Sequence, residues 1–300
     1  EAPTSPSVTI NSGATHTNNS TLSLQIGALD NKGVTGYLVS ESSSTPNLSS
    51  FTAVTSDTTL NTTVNHTMTT GEGQKTLYVW FRDEAGNLSA SVSASITVDV
   101  TSPTLSLGSP SSSLTKSGPV TFTVSYTGAS TVSLSTDNVT VSSTDNASAG
   151  STLVSGSGTG TRTVTLSNLA GDGTLSISLA SGTASDEAGN QALSAGPSGS
   201  FTVDNSGPSG TVAIATEVQN TDNTTTLTLT LTASDNATVS AYYIGDNSTQ
   251  PTSSQFTALS SPATAFSDNI SYSLAGSGTR TVYAWFMDPL ANITSAPVTA

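Results

Sequence analysis

The sequence has no cysteine, only 6 Lys and Arg against 20 Asp and Glu, two histidines, and 5% aromatic residues. Without cysteine there is no disulfide and no thiolate metal site. A net charge of −14 with so few basic residues excludes nucleic acid as a partner, because phosphate neutralisation needs clustered Lys and Arg. It equally excludes docking on anionic lipid. No run of about 18 apolar residues is present, so no segment is expected to insert in a membrane as a helix. The opening Glu1-Ala2-Pro3 has neither a basic stretch nor an apolar one, so a secretory leader, if there was one, is removed or lies further upstream.

Charge is scarce as well as one-sided. Only 9% of residues are charged, which separates the chain from the high-charge composition of disordered segments. Ser and Thr make up 109 of the 300 residues, and the apolar residues between them alternate rather than scatter. The absence of cysteine suits either redox compartment. The acidic, lysine-poor, threonine-rich surface fits an extracellular or cell-surface location better.

A repeat organises the chain. Adding 205 carries Thr21–Ser95 onto Thr226–Ala300 with 24 identities in 75 positions and no gap. Tyr37, Phe51, Trp80, Asp30, Asp83 and Asn87 land on Tyr242, Phe256, Trp285, Asp235, Asp288 and Asn292. The middle hundred residues share the punctuation but not the body. Asp83-Glu84-Ala85-Gly86-Asn87 returns as Asp186-Glu187-Ala188-Gly189-Asn190, and Val98-Asp99-Val100-Thr101-Ser102-Pro103 returns as Val203-Asp204-Asn205-Ser206-Gly207-Pro208. Thr4-Ser5-Pro6 reads as the end of the same linker arriving from upstream. Three domains follow, 1–100, 101–205 and 206–300, in an A-B-A′ order and expected to be part of a longer array.

Each unit reads as strands. Thr226-Leu227-Thr228-Leu229-Thr230-Leu231-Thr232 alternates with period two, as do Thr21–Ile26 and Val120–Val124, so one row faces a core and the other faces water. Turn residues interrupt at sandwich spacing, and no helical stripe exceeds two turns. The fold class is therefore all-β: three tandem immunoglobulin-like β-sandwiches, arranged as an extended rod.

An aromatic strand entering Asp-x-Ala-Gly-Asn, followed by a strand ending Val-Asp-x-x-x-Pro, resembles the bacterial immunoglobulin-like repeats of giant surface adhesins. The third copy departs at Ala291, where the others have Gly86 and Gly189. The resemblance implies a stalk of neighbouring domains in one long chain, with Ca²⁺ stiffening the joints. Topology points to the same places. The hairpin before the last strand lies at the N-terminal pole of a sandwich, and so does the turn after the second strand. Asp99 is thus expected to meet Asp186, and Asp204 to meet Asp235 and Asp288, while Asp30 and Asp83 await a partner upstream. Gathered carboxylates repel unless neutralised, and Ca²⁺ takes 6–8 oxygen ligands. The alternative is that each Asp only builds its own turn. No EF-hand loop is present.

Other constellations are weaker. Tyr78 and Trp80, with Tyr283 and Trp285, either form an exposed aromatic patch for sugar or a neighbouring fibre, or are covered by flanking residues such as Tyr37 and Arg82. The row Thr226, Thr228, Thr230 and Thr232 is read as ordinary solvent-facing strand. Thirteen of 19 Asn lie in Asn-x-Ser/Thr sequons, among them Asn61, Asn138 and Asn223. His16 and His66 have no evident acidic partner in sequence, and no nucleophile, zinc or phosphate motif occurs. We therefore expect a non-enzymatic spacer. The second reading is a self-assembling filament or surface-layer subunit with identical chains as partners; the third is a carbohydrate-binding module.

Overall fold

The computed structural model describes residues 1–220, 224–276 and 278–300, and the sequon at Asn223 lies outside them. Among the described residues the elements are strands, and the only helical pieces are single 3₁₀ turns. The strands form three tandem immunoglobulin-like sandwiches, each around its own buried cluster.

The middle unit shows the arrangement most plainly. One sheet runs Ser148–Ser155, Thr161–Ala170, Val120–Thr127, Thr104–Leu107. The other runs Val139–Ser143, Gly173–Leu179, Phe201–Val203, Leu114–Thr115, the last pair being parallel. Phe122 and Phe201 come from opposite sheets and meet with ring centroids 6.1 Å apart. Core packing of this kind replaces the inter-sheet disulfide that such sandwiches often carry.

In the outer two units the sheets are continuous, because the second strand bends and serves both. Thr21–Ser40 pairs with Thr4–Ile10 and the far half of Thr52–Thr67 up to Leu29; from Val34 it pairs with Gly73–Asp83. Gly33 sits in the bend at φ 119°, and a Cβ there would lie 2.1 Å from Ser56 Oγ, so only glycine fits. Thr224–Gly245 bends likewise between Ser234 and Val239. On the buried side of these strands lie Leu22, Leu24, Ile26 and Ala28 in the first unit and Leu227, Leu229, Leu231 and Ala233 in the third. The intervening threonines of the third unit bond laterally, as in Thr230 to Asn269 (2.8 Å) and Thr211 to Thr232 (2.7 Å).

Two expectations need correction. The linker proline of the first unit is Pro3 rather than Pro6. Pro3 is buried immediately before the strand Thr4–Ile10, as Pro103 is before Thr104–Leu107 and Pro208 before Ser209–Gln219. Pro6 lies within an edge strand, at a register shift between Thr4 and Ser7 where a missing N–H is tolerated. Tyr37 also does not cover the aromatic strand; it packs on the core side. Trp80 and Trp285 are nonetheless only 4% exposed, and Arg82 lies over the Phe51 ring at 5.5 Å.

Because the cores are separate, damage to one should stay local. Leu229→Ala, at a fully buried position, should destabilise the third unit by about 3 kcal/mol. Urea unfolding followed by fluorescence, with Trp80 or Trp285 retained singly as Phe variants, should show only the Trp285 transition moving.

Candidate functional site

The alternation that builds each core also delivers acid to its end. The inward row Leu227, Leu229, Leu231, Ala233 has Asp235 as its next step, and Ala284, Phe286 has Asp288. The first unit repeats this with Asp30 after Ala28 and Asp83 after Phe81. These carboxylates are therefore drawn into the N-terminal end of the sandwich, and Asp30, Asp83 and Asp288 are at most 7% exposed.

The hairpin that carries the second Asp is the same in all three units. Asp83, Asp186 and Asp288 each accept from the backbone N–H and the side-chain amide of the Asn four residues on, at 2.5–2.9 Å. The Asn87 amide holds the Asp83 carboxyl below its ordinary range. The turn needs a positive φ one residue before the Asn. Gly86 and Gly189 supply 85° and 91°; Ala291 supplies 60° and keeps the same backbone bonds, so the departure in sequence does not change the loop.

At both joints that Asn reaches the preceding unit. Asn190 donates its second amide proton to the carbonyl of Asp99 at 2.8 Å, and Asn292 does the same to Asp204 at 3.2 Å. The linker passes so close to the last hairpin that a Cβ on Gly207 would lie 2.2 Å from the Ile293 carbonyl oxygen. His16 Nδ1 adds a contact across the first joint, 3.2 Å from Glu187.

The two joints then differ. Among the described residues, one group of three acidic side chains has ligand atoms within 4.8 Å of each other: Asp204, Asp235 and Asp288. Asp204 is fully buried, and neither of its carboxylate oxygens has a hydrogen-bond partner. Burial above all, then the nearby Asp288 and Asp235, pushes its carboxyl up to about 7. Asp235 is pushed up too, by burial first; the Ala237 N–H opposes this, and Asp288 and Asp172 add to it. At the first joint the Asp99 carboxylate turns back onto the Thr101 N–H at 2.9 Å. The middle unit's inward row, Val120, Phe122, Val124, Tyr126, steps next to Gly128, where the outer units have Asp30 and Asp235. Asp99 and Asp186 therefore lack a third carboxylate. Asp30 and Asp83 stand at the pole of the first unit that faces no other described domain; Asp30 Oδ1 accepts from Lys32 and Gly33 N–H at 2.8 Å, and its Oδ2 is buried without a partner.

Sequence reasoning missed two other acids on the linkers. Glu72 Oε1 accepts from Val100 N at 3.0 Å and Thr101 Oγ1 at 2.9 Å. Asp172 accepts from Asn205 N at 2.7 Å, Ser206 N at 3.1 Å and Ser206 Oγ at 2.6 Å. The signal was there as Gly71-Glu72-Gly73 and Gly171-Asp172-Gly173, acid between two glycines at the same place in the first two units, where the third has Ser277.

No protein-family model matches the chain, and no curated protein matches it in sequence. A solved structure of FdeC, described as an Escherichia coli adhesin, is similar over 98% of this chain and 95% of that one, at 19% identity and a TM-score of 0.34.

Two outcomes are expected at this site. Ala291→Gly should stabilise the third unit by about 0.5–1 kcal/mol in thermal unfolding, since a non-glycine residue at positive φ is strained. In cation-free buffer, folded Asp204 keeps its proton up to about pH 7, whereas the unfolded chain loses it near the ordinary 3.8. The folded state thus binds more protons between those values, and stability falls as pH rises through that window. Asp204→Asn should flatten the decline and raise stability at pH 7.5, read by chelator-treated unfolding curves at several pH values.

Proposed function

We propose that the chain is a spacer segment of a large bacterial extracellular adhesin or surface fibre, an extended rod whose work is mechanical. The observation that carries the reading is the second joint. There the following unit's Asn292 holds the linker carbonyl, and three carboxylates from two units converge around an Asp204 with no partner of its own. Such a group is repulsive alone and suits a hard divalent cation, which takes carboxylate oxygens readily. Asp204, Asp235 and Asp288 would hold Ca²⁺, and the bound charge would turn a repulsive hinge into a clamp. The first joint, with Asp99 and Asp186 but Gly128 in the third place, would be held by Asn190, Glu72 and His16–Glu187 without metal. Stacking of neighbouring units in one chain then carries load, and the acidic, Ser/Thr-rich surface keeps parallel rods apart.

Small-angle scattering in about 2 mM Ca²⁺, the range of weak extracellular sites, and again in chelator tests this. The expected result is a monomer in both, longer and stiffer with Ca²⁺. Asp204→Asn should abolish the difference, and Asp186→Asn should leave it. An unchanged profile would remove the Ca²⁺ clamp, and a mass well above one chain would replace the spacer with a self-associating subunit.

A further inference from the structure

The backbone around Asp204 is held from three sides. Its own N–H donates to the Thr115 carbonyl at 3.0 Å, within the preceding unit. Its carbonyl accepts from Asn292 of the following unit at 3.2 Å. The two residues after it are tied down by Asp172: Oδ1 accepts from the backbone N–H groups of Asn205 and Ser206, and Oδ2 from the Ser206 hydroxyl. Asn205 returns the contact, its amide donating to the carbonyls of Lys116 at 3.1 Å and Gly171 at 2.9 Å. With the main chain fixed in this way, little beyond its own side-chain torsions is left to Asp204, and its carboxylate lies buried among Asp235 and Asp288.

Asp172 can do this because its turn is built for it. Gly171 and Gly173 both have positive φ, 76° and 135°, and a Cβ on either would lie within 2.3 Å of a backbone carbonyl oxygen, that of Asn146 or Thr144. The turn between these strands is thereby tightened against its neighbour, and the acid at its tip is presented to the exit linker. Burial pushes the Asp172 carboxyl up, but the hydrogen bonds from Ser206 and Asn205 outweigh it and bring the carboxyl below its ordinary range, so the acceptor stays ionised at neutral pH. Glu72 presents itself to Val100 and Thr101 in the same way at the joint that has no carboxylate triad. Two linkers of different sequence are thus anchored by an acid from the same turn.

We propose that Asp172 is a positioning residue for the joint site: by anchoring Asn205 and Ser206 it seats the Asp204 carboxylate against Asp235 and Asp288 and so sets the affinity of that site for a divalent cation. The role rests on the Ca²⁺ reading of the second joint. Residues behind metal ligands typically account for about 10- to 100-fold in affinity. Glu72, lacking a triad to serve, fixes the direction of its linker only.

The test is a calorimetric Ca²⁺ titration of the full 300-residue chain, with amide hydrogen exchange at Asn205 and Ser206 measured in chelator. Asp172→Ala should weaken Ca²⁺ binding about 10- to 100-fold and remove the protection of both amides. Asp172→Asn keeps an oxygen facing those two N–H groups and should retain most of the affinity and the protection. Glu72→Ala should leave Ca²⁺ affinity unchanged. Wild-type affinity in Asp172→Ala would overturn the proposal. So would an Asp172→Asn variant as weak as Asp172→Ala, since the charge of Asp172 would then act directly. A wild-type chain that takes up no Ca²⁺ would instead remove the cation reading itself, and this role with it; protection lost in Asp172→Ala alone would then leave Asp172 a linker clamp and nothing more.

Discussion

Each inward row of a sandwich keeps its two-residue period one step past the end of the core, and the joints are built on that step. Leucine, isoleucine and phenylalanine on the inward rows exclude water from each sandwich. Where the row reaches the pole its next member is Asp235 or Asp288 in the third unit, and it cannot turn outward without slipping the register of the whole strand. Burial of these acids is thus a by-product of core formation. Their cost is offset only where something else reaches them. The Asn four residues on satisfies one acid of each pair, and backbone N–H groups of its own turn meet the other, Lys32 and Gly33 at Asp30 and Ala237 at Asp235.

This explains how two joints with one scaffold differ in chemistry. Both use an Asp-turn-Asn hairpin, an Asn-to-carbonyl bond across the junction, a buried proline at the entry of the next strand and an acid from a glycine-flanked turn. One substitution of role, Gly128 for an aspartate, removes the third carboxylate from the first joint. In an A-B-A′ order, the joint that gathers three carboxylates follows one that does not.

Much of this was legible in residue spacing. The 205-residue repeat, the period-two rows and the recurring Asp-to-Asn hairpin marked the sandwiches and their poles, because those features are local and repeat in register. The pairing of Asp204 with Asp235 and Asp288 followed from chain topology alone. What stayed hidden has identifiable reasons. Residue order alone does not set Glu72 and Asp172 apart from ordinary turn acids, since acid beside glycine is common in turns and its reach to a linker is a long-range contact. Pro6 mimicked the linker proline because strand entry is defined by burial, which places Pro3 there instead. Ala291 departs from the glycine of the other two loops in sequence only, since alanine at positive φ is tolerated when hydrogen bonds on both sides hold it.

The strand pattern, the repeat and the acids at the ends of its units can be read from residue order, because alternation and repetition act between near neighbours. That one joint gathers three carboxylates and the other does not is a matter of folding in three dimensions. That outcome depends on where residues more than 30 positions apart, one within a strand and two just past the ends of others, come to rest, and on whether the innermost of them, Asp204, is left with a partner or without one.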